Sequence, residues 1–289
     1  MFSRYKSISF LLMLGSTGVS ALSFHDTALQ AAAKQEEQAL NARIGVAAID
    51  VATGKTVSYR GDERFPLNST HKALSCGALL SEIDKGRLAL TSSTTFSQSK
   101  LVEYSPVTEK FVEPASITWR QLCSAAVSDS DNTAANLVVE RLGGPAAVTR
   151  FLRSTGDNVT RLDRIEPELN NATPGDERDT TTPVAVSKTL QKLALGEVLK
   201  PASRRQLIQW MRDDKVADAL LRSALPAGWT IADKTGAGAH GSRSIIAIAW
   251  PLTGKPTIVA IYITETNATL ARSNEAIARL GKLLFAPAQ

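Results

Sequence analysis

Cysteine and histidine are nearly absent from this chain of 289 residues, which holds two of the first and three of the second. His25, His71 and His240 are scattered and match no metal-ligand spacing, which argues against a zinc hydrolase. Aromatic residues make up only 6% of the chain, and no cluster of Lys and Arg interleaves with them, so a nucleic-acid surface is not indicated. Beyond the first two dozen residues no apolar run reaches the ~20 residues that a membrane helix needs. The G-x-S-x-G elbow of α/β-hydrolases does not occur either. There is no internal repeat and no low-complexity tract. What remains is an ordinary globular composition, 43% hydrophobic and 21% charged, long enough for one large domain or two modest ones.

The N-terminus departs from that composition. Arg4 and Lys6 precede a short apolar run over 8–14, and Val19-Ser20-Ala21 follows as a small-residue cleavage site. Residues 1–21 therefore read as a secretory signal peptide, too short to span a membrane. No cysteine follows the apolar run, so a lipoprotein anchor is not expected. Removing this segment takes away two basic residues and no acidic one, lowering the formal charge from +5 to +3. In an exported chain the even cysteine count, Cys76 and Cys123, favours one disulfide. Two buried free thiols are the alternative.

Secondary-structure signals divide the chain into three parts. Residues 26–40 carry helix formers, and 43–51 and 56–60 read as strands joined by the turn Thr53-Gly54-Lys55. Residues 69–211 are mostly helical in pattern, with a break and restart at Gly143-Gly144-Pro145. Strand character returns over 229–233, 244–250 and 256–264, and an amphipathic helix over 271–285 closes the chain. Short turns between successive strands imply an antiparallel sheet. The expected fold is α+β: a sheet of about five antiparallel strands flanked by helices, built from 22–63 and 212–289, beside an all-α lobe of 64–211. Residues 161–183 form a polar, turn-rich stretch too long for an idle connection. Arg164 and Asp179, at its ends, suit an ion pair closing an Ω-loop over 161–179.

Ser-x-x-Lys occurs three times, at Ser3/Lys6, Ser97/Lys100 and Ser69/Lys72. Only Ser69 opens an apolar helical run, where the spacing puts Lys72 on its face one turn on and the helix dipole favours developing negative charge. Ser130-Asp131-Asn132 is the sole S-D-N of the chain, between two helical segments, where helix capping is the alternative role. Lys234-Thr235-Gly236 is the only K-[ST]-G and directly follows the strand read at 229–233. The run from Gly236 to Gly241 spells G-x-G-x-x-G, but a strand and not a helix follows it, which excludes a dinucleotide site. His71 lies two residues from Ser69, a spacing that does not face it on a helix.

Together, in this order, the three motifs resemble those of the class A serine β-lactamases and penicillin-binding proteins. The chain is most similar to the TEM-type and carbenicillin-hydrolysing class A enzymes. The resemblance runs over residues 43–284 and includes long stretches outside the motifs, at 102–107, 130–137, 160–170 and 220–229. It implies an active site between the two lobes, with Ser69 as nucleophile and Lys72 as its base or proton relay. Ser130 would pass a proton to the departing β-lactam nitrogen. Lys234, Thr235 and Arg243 would hold the substrate carboxylate, and the backbone N–H groups of Ser69 and Ala237 would form the oxyanion hole. Asn132 would bind the substrate's side-chain amide, with Gly236 and Tyr104 also lining the substrate site.

Glu166 and Asn170 separate a lactamase from its relatives, since rapid deacylation needs a base to activate water. Glu166-Pro167-Glu168-Leu169-Asn170 matches the E-x-x-L-N motif of class A. The expected activity is thus hydrolysis of penicillins and early cephalosporins, conferring antibiotic resistance, by a monomer secreted to a Gram-negative periplasm. No cofactor, metal, nucleic-acid partner or membrane anchor is expected. A penicillin-binding DD-peptidase and a non-hydrolysing β-lactam sensor are the alternatives of the same fold. Serine carbapenemases of this class carry a cysteine pair at positions that here are Asn68 and Gly238, so slow carbapenem turnover is expected. Arg164, Asp179 and Gly238 match narrow-spectrum enzymes. Carbenicillinases often place Arg at Lys234, which leaves carbenicillin preference open.

Overall fold

The computed structural model describes residues 26–286; the signal-peptide reading of 1–21 lies outside them. Helix α1 (Asp26–Leu40) buries Leu29, Ala33, Glu36 and Leu40, which share one face at helical spacing. β1 (Arg43–Asp50) and β2 (Thr56–Tyr59) follow as a hairpin. Next come β3 (Phe65–Pro66), α2 (His71–Asp84), β4 (Ser93–Thr94), β5 (Ile117–Thr118), α3 (Trp119–Ser128), α4 (Asn132–Leu142) and α5 (Pro145–Ser154). The polar loop leads into β6 (Thr180–Thr181), α6 (Pro183–Ala194) and α7 (Pro201–Arg212). The chain ends on β7 (Thr230–Ala237), β8 (Arg243–Trp250), β9 (Thr257–Thr264) and α8 (Leu270–Leu284).

The strands form one five-stranded antiparallel sheet in the order β2-β1-β9-β8-β7. β1 pairs with β9 along its whole length, from Arg43 opposite Thr264 to Asp50 opposite Thr257, so the two ends of the chain meet in mid-sheet. Both faces of that sheet are covered, which is why its central strands read as continuous apolar runs. The two-residue period still sorts them. Ile246, Ile248, Ile258, Ala260 and Tyr262 join the core of the helical half. Their neighbours Ile245, Ala247, Val259, Ile261 and Ile263 pack against α1 and α8. The short pairs β3–β6 and β4–β5 lie outside this sheet.

Every residue of α2 from His71 to Ser81 is buried. A helix apolar on all sides belongs at the centre of a bundle, and α3, α4, α5 and α7 surround it. Its neighbours are capped from the sequence. Asp131 accepts from Ala134 N to start α4, and Thr118 and Gln121 form a capping box on α3. Gly143 and Gly144, at φ of 99° and 87°, end α4 and admit Pro145 at the first turn of α5.

Cys76 on α2 and Cys123 on α3 are joined by a disulfide with Cα atoms 5.7 Å apart. The loop it closes spans 47 residues in sequence, and restricting such a loop in the unfolded chain stabilises the fold by ~4 kcal/mol at most. The double variant Cys76→Ala/Cys123→Ala is expected to lose about 2–4 kcal/mol in urea denaturation while keeping its activity at 25 °C. An unchanged unfolding midpoint would mean that the packing around α2 carries this junction alone.

Candidate active site

Ser69 precedes α2 instead of opening it. It sits in a 3₁₀ turn, Asn68–Thr70, with Asn68 at φ 46°. The turn is held by Thr70 Oγ1 donating to the Leu67 carbonyl at 2.6 Å and by Tyr262 of β9, whose hydroxyl lies 3.1 Å from Thr70 Oγ1. Lys72 follows on the first turn of α2, with a side chain of zero exposure. A buried ammonium needs partners. Nζ donates to the Ser130 carbonyl at 2.7 Å, to Asn132 Oδ1 at 2.6 Å and to Ser130 Oγ at 3.4 Å, and stands 3.1 Å from Glu166 Oε1. Burial pushes Lys72 below the usual lysine range, and Glu166, Asp131 and Asp214 offset this only in part.

Glu166 is the point of convergence. Its Oε1 accepts from Ser69 Oγ at 3.3 Å and faces His71 Nε2 at 3.3 Å. Its Oε2 accepts a hydrogen bond from Asn170 Nδ2. Burial alone would raise this carboxyl, but Lys72 and His71 outweigh it and hold the group at about 2. Asn136 of α4 clamps the Glu166 backbone twice, accepting from its N–H at 2.9 Å and donating to its carbonyl at 2.8 Å.

The loop that carries Glu166 is closed at its ends. Arg164 Nε donates to Asp179 Oδ2 at 2.5 Å, and Asp179 Oδ1 accepts from the backbone of Asp163 and Arg164 at 2.7 and 2.9 Å. Asp163 returns a bond from Asp179 N and pairs with Arg161. The carbonyl of Asp179 then accepts from Leu67 N at 2.8 Å, tying the loop to the turn that bears Ser69.

Opposite lies β7, the edge strand of the sheet. It runs on to Ala237, four residues past the end read from the sequence, because Lys234 to Ala237 pair with Ile246 to Arg243 of β8. Lys234, Thr235 and Gly236 are therefore strand residues, not a strand exit. A Cβ on Gly236 would stand 2.8 Å from Ser69 N, so glycine is what lets the strand approach the serine. Lys234 is buried with Nζ 3.8 Å from Asp214 Oδ2, and neither atom has a hydrogen-bond partner among the described residues. Burial lowers Lys234 to about 8 against the pull of Asp214. Arg243, paired with Ala237, donates to the Gly236 carbonyl at 3.1 Å and to Asn274 Oδ1 at 2.8 Å. Burial brings it down to about 10.

Ser69, Lys72, Ser130, Asn132, Glu166 and Asn170 thus form one hydrogen-bonded cluster, faced by Lys234, Thr235, Gly236, Ala237 and Arg243. Ser130 is at φ 59°, where its carbonyl meets Lys72. Tyr104 stands at the rim, 54% exposed, with its carbonyl accepting from Asn132 N at 3.0 Å. Of the other Ser-x-x-Lys pairs, Ser97/Lys100 is exposed, with Lys100 paired to Glu140. Ser3/Lys6 lies outside the described residues. His71 turns to Glu166 and Ser75.

Asn136 and Asp214 have no place in the sequence reading, and His71 enters it only as a residue that does not face Ser69. The first had a signal, since Asn132 and Asn136 are one helical turn apart and face the same side. Asp131 is more than a cap: its carboxylate also accepts from the backbone of Val107 and Thr108, fixing the segment that carries Tyr104.

Residues 26–287 match the model of the β-lactamase enzyme family. The chain is 55% identical to the β-lactamase AER-1 of Aeromonas hydrophila over 258 residues, which is 89% of this chain and 85% of that protein. Among solved structures it resembles the class A β-lactamase of the last common ancestor of Gram-negative bacteria. That match has a TM-score of 0.87 at 52% identity and covers 89% of this chain and 97% of the other. The chromosome-encoded β-lactamase of Vibrio parahaemolyticus matches with a TM-score of 0.86 at 47% identity, over 88% and 97% of the two chains.

The loop closure has a measurable energy. Asp179→Asn leaves Arg164, which is 18% exposed, without its main counter-charge, and is expected to cost about 2–3 kcal/mol. Thermal denaturation would register this as a fall of roughly 5–10 °C, with limited proteolysis cutting first between residues 161 and 179. An unaltered midpoint and cleavage pattern would show that the loop is closed by its other bonds.

Proposed function

The chain belongs to the class A serine β-lactamases and hydrolyses β-lactams, and on that premise we propose that Ser69 is the nucleophile and Glu166 the base that frees it. The observation that carries this reading is the 3.3 Å contact of Ser69 Oγ with a Glu166 carboxylate oxygen that Lys72 also meets at 3.1 Å. Ser69 Oγ attacks the lactam carbonyl as its proton passes to this Lys72–Glu166 pair. The oxyanion is received by the backbone N–H groups of Ser69 and Ala237, donors whose loss singly costs ~10²–10³ in rate. Ser130, in contact with Lys72, relays a proton to the lactam nitrogen as the C–N bond breaks. In the second half, Glu166 takes a proton from water held between it and Asn170. The hydroxyl adds to the ester carbon, and Ser69 Oγ leaves and regains a proton.

Lys234 supplies a cation with no hydrogen bond of its own for the substrate carboxylate, with Thr235 and Arg243 beside it. Asn132 receives the side-chain amide, and Gly236 and Tyr104 complete the walls. Penicillins and early cephalosporins are the substrates this site favours. Our reading is of a monomer exported to a Gram-negative periplasm, which suits the disulfide and the Gram-negative sources of its relatives. No described helix is long and apolar enough to cross a membrane.

With Glu166 held at about 2, the carboxylate is ionised at neutral and mildly acidic pH, and base-dependent deacylation is lost only as the pH falls toward that value. Nitrocefin is therefore expected to be turned over by the wild type across this range. Glu166→Ala is expected to accumulate a Ser69 acyl-enzyme, visible by mass spectrometry, with deacylation slowed ~10²–10⁴-fold. A long-lived acyl-enzyme in the wild type would instead mark a DD-peptidase or a sensor.

Substrate range gives a second expectation. A Cβ on Gly238 would lie 2.6 Å from Asn68 Oδ1, so the two positions that form a cysteine pair in serine carbapenemases are adjacent here but unlinked. Imipenem should be hydrolysed much more slowly than benzylpenicillin in steady-state assays. Comparable kcat values for the two would overturn the narrow-spectrum assignment.

A further inference from the structure

His71 is a buried imidazole that the scheme above does not use. Its ring bridges two polar atoms: Nδ1 lies 3.2 Å from Ser75 Oγ, one turn along α2, and Nε2 lies 3.3 Å from Glu166 Oε1. Burial and the adjacent Lys72 push the imidazole below its usual range, while Glu166 and Asp179 pull it up by less. At pH 7 the ring is thus neutral and has a single N–H. An ionised carboxylate only accepts, whereas a serine hydroxyl donates or accepts. The consistent arrangement puts the hydrogen on Nε2, donating to Glu166, with Nδ1 accepting from Ser75.

We propose that His71 is a positioning residue for Glu166, locked by Ser75 in its Nε2–H form so that it orients the carboxylate through deacylation. This inference rests on Glu166 being the deacylating base. Chemistry gives the donor its importance. In the free enzyme Oε1 is met by Ser69 Oγ, Lys72 Nζ and His71 Nε2. Once Ser69 is an ester its oxygen carries no hydrogen and ceases to donate. Two groups then remain on Oε1, and His71 is the one whose position does not depend on moving a proton.

The charged groups around Glu166 are few. α2 supplies Lys72 and His71. Asp131 at the start of α4, Asp214 before β7 and Lys234 on β7 act on it through Lys72. Asp179, at the far end of the loop, acts through His71. Among these, His71 at pH 7 contributes a donor without a charge, and at low pH its protonated ring would add a positive charge. Its loss raises the carboxyl toward its ordinary value and frees its orientation.

The test uses the mature enzyme with His71→Phe, His71→Gln and Ser75→Ala, reading nitrocefin turnover against pH and acyl-enzyme accumulation by quenched mass spectrometry. Phe fills the ring volume without a donor, and Gln carries an amide N–H about as far out as Nε2. His71→Phe is expected to slow deacylation about tenfold at pH 7 and to raise the acid limb by about one pH unit, in line with losing one hydrogen bond to a charged group. kcat and KM fall together as the acyl-enzyme builds up. His71→Gln restores most of the rate and the acid limb, and Ser75→Ala lies between. An acid limb and deacylation rate unmoved in His71→Phe would overturn the proposal. So would equal losses in Phe and Gln with the limb in place, because the ring would then serve packing alone. Should Phe fail to fold, Ser75→Ala decides, and wild-type behaviour there refutes the Nε2–H lock. If Glu166→Ala still traps the acyl-enzyme in either case, the proposed mechanism stands and only this inference fails.

Discussion

An ion pair with no exposed surface on either side chain, Lys72 with Glu166 at 3.1 Å, is the constraint that the rest of this structure serves. Withdrawing two charges from water costs several kcal/mol per ion, and attraction alone rarely offsets it without further hydrogen bonds. Each surrounding element supplies one. α4 brings Asn132 to the ammonium and Asn136 to the backbone of the acid. The residue before α4, Ser130, turns its carbonyl inward at a left-handed φ. The long loop adds Asn170 and is pinned by Arg164 and Asp179. The rigidity of α2, buried along most of its length and tied to α3 by the disulfide, keeps the lysine from relaxing away. A pair so held has two alternatives, to share the proton or to pass it on, and that is the property that Ser69, the proposed nucleophile beside it, requires.

The sheet contributes the other wall by ending where it does. β7 is an edge strand, and an open edge is ordinarily a liability that proteins cover or charge. Here it is faced by the turn bearing Ser69, at a spacing that tolerates no side chain at Gly236. The backbones of the strand and of the turn thereby come close together at Gly236 and Ser69. Burial lowers the pKa of both cations on this wall, Lys234 and Arg243, so the substrate carboxylate of the proposed mechanism would stabilise charges the fold holds at a cost.

Much of this is legible in the sequence. Strands at both ends of the chain with helices between them imply one antiparallel sheet, and the β1–β9 pairing is that arrangement realised. α2 is legible because apolar residues fill it, and the serine just before it because a lysine follows at helical spacing. The 3₁₀ turn is not, since three residues set by bonds to Leu67 and Tyr262 leave no periodic trace. The sequence pattern of β7 ends early for a related reason: Lys-Thr-Gly has no strand pattern, and it is pairing with β8 that recruits it. The charges at the loop's ends could be matched by sign, but its interior path is set by bonds between side chains and distant backbone, which local pattern does not encode. Asn136 and His71 belong to the same class. Their partner, Glu166, lies on a separate segment of the chain, and only the tertiary fold brings it within reach.

The cost of this arrangement is concentrated in one place. Native proteins leave few buried polar atoms without a partner. Of the seven such side-chain atoms among the described residues, four belong to Asn68, Asn170, Asp214 and Lys234, all at the cleft. Elsewhere the interior satisfies its polar groups with little exception: Asp157, deep under α6, accepts from Val159, Thr160 and Thr189. A donor and an acceptor left over on both sides of a serine are unfavourable for the folded state taken alone. Under the proposed mechanism they become favourable when a ligand carrying a carboxylate and a polarised carbonyl enters, because what binding then gains includes the penalty that folding incurred. On that proposal stability and catalysis draw on the same atoms, and a substitution that satisfied Lys234 or Asn170 internally would be expected to steady the fold while blunting the site.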